Sequence, residues 1–180
     1  MTIFHKRYTD GLLDIDAEGL LEARLGFPIS GNPMFVGAAQ ALSATNAAFF
    51  GRVTGAGTIT KLAVHVGTSS GNISMAVYAN SGVGLAAIPG ARQDTTGAVA
   101  CPATGYQEVA LGGSVDVVAG MWFALSADNT TATFLPVAAS TGITNLGKGF
   151  GMSGATQHPC PATAGGSSYR CNPFIIVGVA

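Results

Sequence analysis

Few side chains in this 180-residue chain could do acid–base or nucleophilic chemistry. The 3 histidines are His5, His65 and His158. Asp94, Glu108, Asp116 and Asp128 are scattered beyond the acidic N-terminal stretch. Glycoside hydrolysis needs two carboxyl groups flanking one bond, and spacing marks out no such pair. Hydrolases of the α/β type hold a serine on a strand-to-helix elbow, and no serine here sits in such an elbow. GFGMSG (149–154) has the glycine spacing of a phosphate loop. That loop must open a helix, whereas Pro159 and Pro161 follow closely, so the stretch reads as a flexible loop in a Gly-rich chain. DIDAEG (14–19) begins like a calcium loop, but the twelfth position, which needs a bidentate Glu, is Leu25. These readings exclude a marked catalytic, cofactor or metal site, and the expectation is a protein that is not an enzyme.

The 3 cysteines are Cys101, Cys160 and Cys171. Cys160 and Cys171 bracket HPCPATAGGSSYRCNP, where a disulfide would close a short loop. Assembly in a reducing cytoplasm favours free thiols instead. Both readings stay open. The sequons at Asn72 and Asn129 read as turn residues.

The single Trp lies in SVDVVAGMWFALSADNTTATF (114–134). Met121, Phe123 and Leu125 share one face of this strand; Trp122, Ala124 and Ser126 share the other. If the first set faces the core, Trp122 lies on the outer sheet surface, joined by His65 and Tyr78 if their strands share that sheet. Such a face could pack subunits around an axis or bind sugar rings. The opposite phase makes Trp122 core. Core and interface both make it a wall, and wall is the reading taken.

The elements that must position these residues are short strands. Charged residues form 9% of the chain, against ~25% in an average soluble domain. The 26 glycines and scarce helix formers point to strands and turns. ITKLAVHVG (59–67) alternates with Ile59, Leu62, Val64 and Val66 inward and a slip near Thr60. NISMAVYAN (72–80) places Ile73, Met75 and Val77 on one face. The short Ser-Ser-Gly turn between the two predicts a hairpin. YQEVAL, SVDV, MWFALSAD, TATFLPV and the terminal FIIVGVA add further strands. The expected fold is all-β, an antiparallel jelly-roll-like sandwich over residues 38–180. Its long loop, 138–172, would hold one or two short strands.

Residues 1–37 differ in kind. Of the 17 Asp, Glu, Lys and Arg residues, 8 lie in the first 24 positions. DAEGLLEARL (16–25) predicts a short helix with Leu20, Leu21 and Leu25 near one side. This apolar arm must rest on the domain, a sister subunit or another protein. No secretory signal, basic nucleic-acid footprint or membrane-length apolar run is evident, so assembly in a cytoplasm is expected. So few charges are awkward for a monomer and favour an oligomer.

TITKLAVHVGTSSGNISMAVYANSG (58–82), GAVACPATGYQEVAL (97–111), VVAGMWFALSADNTTATF (117–134) and the closing NPFIIVGVA resemble a β-sandwich domain that recurs in tailed-bacteriophage virion proteins. The resemblance covers about residues 38–137 plus the tail. It implies a non-catalytic, usually trimeric module of fibres, tail tips or capsid surfaces, with no cofactor. Expected partners are sister copies and major capsid or tail proteins. The place implied is the virion surface, with assembly in the host cytoplasm. Leu20, Leu21 and Leu25 would anchor the arm to the particle, in a compact decoration, cement or fibre-cap protein. The alternative is a receptor- or glycan-binding fibre tip.

Overall fold

The computed structural model describes residues 28–30, 38–42, 45–83, 87–136, 149–153, 157–164, 167–169 and 174–180. The predicted helix over 16–25, the arm leucines Leu20, Leu21 and Leu25, and Cys171 lie outside them. The described residues are all-β and contain no helix, hence none long and apolar enough to cross a membrane.

The strands form two antiparallel sheets. The six-stranded sheet holds β1 (Ile29–Ser30), β2 (Gln40–Ala41), β4 (Gly57–Thr68), β8 (Gly105–Val117), β10 (Thr133–Phe134) and β13 (Ile176–Val179). The seven-stranded sheet holds β3 (Ala48–Arg52), β5 (Asn72–Ser81), β6 (Ile88–Thr95), β7 (Val99–Ala100), β9 (Trp122–Ala127), β11 (Gly149–Ser153) and β12 (Ser167–Tyr169). The terminal apolar run becomes β13, central between β1 and β4. The late loop contributes β11 and β12, so GFGMSG is largely strand rather than flexible loop.

One hydrophobic core joins the sheets' inner faces. Leu62, Val64 and Val66 of β4 meet Ile73, Met75 and Val77 of β5 and Phe123 and Leu125 of β9 there. Phe174 packs edge-on against Phe49 (centroids 5.6 Å apart) and Phe134 (6.0 Å). Each such side chain removed from water contributes ~1.5–3 kcal/mol. The slip at Thr60 is a bulge: Ile59 opposes Val115 but Lys61 opposes Ala110. The extra β8 residues reach the other sheet, where Gly113 N donates to Asp94 Oδ2 at 2.7 Å.

The predicted hairpin is corrected. β4 pairs with β8, β10 and β13, while β5 pairs with β6, β7 and β9, so Ser69–Gly71 is an arch between sheets. Alternation alone permits either arrangement, because both bury the same residues. A polar knot fixes the arch. β9 and β10 are joined by a second arch over 128–132, and the two arches bond to each other. Asp128 accepts from Asn72 N (2.9 Å) and Asn72 Nδ2 (2.7 Å). Asn129 Nδ2 donates to Ser70 O at 3.0 Å, and Asn129 Oδ1 caps Thr131 N and Ala132 N at 2.8 Å each. Asn129 is thus a turn residue, as read, whereas Asn72 opens β5 and pairs with Ala100.

The hydrogen bond from Asn129, then those from Asn72, lower the Asp128 pKa from 3.8 to about 2. A depressed acid stabilises the fold above its unfolded pKa and loses that contribution as pH falls through the folded one. Stability should therefore decline between pH about 4 and 2 by about 1 kcal/mol for this group, allowing for solvent screening. In acid titrations followed by circular dichroism, Asp128→Asn should be less stable at neutral pH and lack this part of the decline.

Candidate functional site

The seven-stranded sheet has a second apolar face, turned away from the shared core. Alternation puts Tyr78 of β5 beside its cross-strand neighbour Trp122 of β9. They join Ala48, Phe50, Ala76, Ala87, Ala124 and Cys160 in a separate buried cluster. Phe123 and Leu125 face the shared core and Trp122 faces the other way, yet Trp122 is only 1% exposed and Tyr78 0%. The reason is a strap, residues 157–164, laid across this face.

Backbone and side-chain hydrogen bonds hold the strap. Gln157 N donates to Asn46 O (3.2 Å), Cys160 N to Ser74 Oγ (3.1 Å) and Tyr78 Oη to Pro161 O (2.6 Å). Arg92 donates its backbone N to Ala162 O at 2.9 Å and its Nη1 to Cys160 O. Under the strap, Trp122 Nε1 donates to Asn80 Oδ1 at 3.0 Å, and the Arg52 guanidinium lies 5.9 Å from the indole centroid.

Three reactive residues meet beneath the strap. Ser126 Oγ is 3.1 Å from His158 Nδ1 and 3.5 Å from Cys160 Sγ. Distance alone would suit a nucleophile and its base. Ser126 is 0% exposed, however, and its hydroxyl also faces Ser74 O. Burial pushes the Cys160 thiol up, which keeps it protonated, and lowers the His158 pKa, which Asp128 partly offsets. Burial likewise raises the Tyr78 phenol. A nucleophile must reach its substrate and a thiol must ionise to react. In this closed arrangement, the three groups bind strap to sheet.

His65 stands elsewhere. It is exposed on β4 of the six-stranded sheet, opposite Tyr106. The expected common face of Trp122, Tyr78 and His65 is therefore corrected: the first two are covered by the strap, and the third belongs to the other sheet. Cys160 carries a free thiol, with Sγ 3.4 Å from Ser74 O, and Cys171, its possible bridge partner, lies outside the described residues. Cys101 is also free.

The acids occupy separate structural posts. Glu108 pairs with Lys61 at 2.8 Å, Asp116 accepts from Thr58 Oγ1 at 2.6 Å, and Asp94 holds Gly113 N and Thr95 N. Gly67 to Gly71 has the glycine–serine spacing of a nucleophile elbow, but it joins strand to strand, and Ser69 Oγ donates to Cys101 O at 2.8 Å. Among the described residues, no three His, Cys, Asp or Glu side chains group to hold a metal. Sequence reasoning missed Arg92 and the covering role of 157–164. The available signal was Ser74 and Ser126 on the outer faces of neighbouring apolar strands. In comparisons with protein-family models, curated proteins and solved structures, the chain matches none.

Proposed function

We propose that this chain is a non-enzymatic structural protein of a tailed-bacteriophage virion surface. In this reading it is a jelly-roll-like β-sandwich that assembles as a trimer and decorates or cements the capsid or caps a fibre. Residues 1–37 attach it, through Leu20, Leu21 and Leu25, to a major capsid or tail protein. It needs no cofactor.

The observation that carries the reading is where the virion-like motifs fall. They supply β4, β5, β8, β9 and β13, the strands that build the shared core and its arches. The resemblance therefore lies in fold-determining residues. The 9% charge content supports close packing among copies, because few charges keep separate molecules apart. The burial of Ser126 and Cys160 favours a wall over a reaction site. Against a glycan-binding tip stands the burial of Trp122 and Tyr78, which leaves neither ring as a platform for sugar.

Light scattering on the purified full chain should give three times the monomer mass. Monomer alone across micromolar concentrations would overturn the trimer.

A further inference from the structure

The strap is attached to the sandwich differently from the strands beneath it. It lies between β11 and β12, which pair with each other, Ser153 opposite Ser167. Its two roots therefore sit together at one side of the sheet, while β6, at the other side, meets its far end through a bridge from Ala91 to Thr163. A segment with adjacent roots can lift without breaking a core strand.

Little of the strap's own surface holds it down. Cys160 and Gln157 are buried, Ala164 is half-buried, and Pro159, Ala162 and Thr163 are exposed. Cys160 packs in the second cluster, apart from the core shared by the two sheets. Elements with few buried apolar contacts are the first to open. Burial of Trp122 and Tyr78 opposes lifting, so the closed form is the resting one.

Two groups are poorly accommodated in the closed form. Gln157 Oε1 is buried without a hydrogen-bond partner, and lifting returns it to water. His158 Nδ1 is the nearest acceptor for the Ser126 hydroxyl, at 3.1 Å. A proton on Nδ1 turns that acceptor into a donor. The Ser126 hydroxyl must then turn to Ser74 O at 3.5 Å, which already accepts from the Cys160 thiol at 3.4 Å. Burial lowers the His158 pKa from 6.5, offset in part by Asp128 and the Ser126 backbone. The closed form thus holds this proton less tightly than the lifted form, and acid favours lifting as pH falls below 6.5. Other titratable groups under the strap are engaged elsewhere: Tyr78 with Pro161 O, Arg92 with Cys160 O, Arg52 with Trp122 and Asp94 with Gly113 N.

We infer that strap 157–164 is an acid-sensitive cover, which lifts from the seven-stranded sheet as a unit while the sandwich stays folded, and that protonation of His158 favours the lifted form. Lifting uncovers Trp122 and Tyr78. This goes beyond the virion-surface reading and does not depend on it.

The test reads Cys160 in a full-length Cys101→Ser/Cys171→Ser chain. Its rate of reaction with a pyridyl disulfide is compared with that of an unfolded peptide carrying the same cysteine at the same pH, which gives a protection factor corrected for thiol ionisation. At pH about 7.5, protection should be at least roughly tenfold below that of the slowest-exchanging backbone amides, which report global unfolding. Between pH about 7.5 and about 5.5 it should fall severalfold. A histidine of ordinary pKa 6.5 in the lifted form sets the ceiling at about tenfold. His158→Asn keeps an acceptor for Ser126 and should change less than about twofold over the same range. Protection within about tenfold of the slowest amides would mean that the strap opens only with the whole fold, and overturns the inference. A fall of less than about twofold in the parent overturns it too, and neither result needs a variant at His158. A fall of about twofold or more in His158→Asn also overturns it, by placing the acid sensor elsewhere.

Discussion

Trp122→Ala should lower stability by ~3–5 kcal/mol, the usual cost of truncating a buried aromatic. For a chain of this size the melting midpoint should fall on the order of 10 °C. The indole is 1% exposed, with Tyr78, Phe50 and Ala124 in the same buried cluster. Removing it leaves a void under the strap and takes the donor from Asn80 Oδ1. Thermal melts followed by circular dichroism measure the loss. An unchanged midpoint combined with lost host-cell binding would mean that the ring is a ligand platform and the strap no cover.

Gly71→Ala should cost about 3 kcal/mol and loosen both arches together. Gly71 has φ +58°, a left-handed conformation that costs an L-residue roughly 1–2 kcal/mol. An added Cβ would also run into Asn129 Nδ2 and Asp128 Oδ1, the atoms that tie arch to arch. Losing part of that charge-assisted network adds about 1.5–3 kcal/mol, less some relief as side chains shift. Gly97→Ala separates the two effects. Its φ is +67° but nothing lies within 4 Å of the added methyl. Urea unfolding should show only the smaller backbone cost at Gly97. Equal losses at both positions would remove the knot from the account.

The faces of the strands were legible in the sequence, and their partners were not. Alternation correctly put Met75 with Val77, and Phe123 with Leu125, on shared faces, which the core takes, and the slip near Thr60 is the bulge that shifts β8. It could not distinguish hairpin from arch, because burial is satisfied equally by both. The decision lies with Asp128 and Asn129, which read only as turn residues until their partners across the arches are known. Trp122 shows a similar limit. Alternation left its phase open, and its cover comes from 157–164, a Pro- and Ala-containing stretch with no periodic signal. His65 shared a face with Trp122 and Tyr78 only on the assumption of one sheet. The arch between β4 and β5 places it on the other.

The central claim is that this chain belongs to the outside of a virus particle. Quantitative mass spectrometry of virions purified from the encoding phage tests it most directly. The account predicts the chain among the structural proteins, at a copy number divisible by three, as a closed trimer requires. Abundance rivalling the major capsid protein would place it on the capsid, and low abundance on a tail or fibre. Presence in the infected-cell lysate with absence from the purified particle would contradict the account.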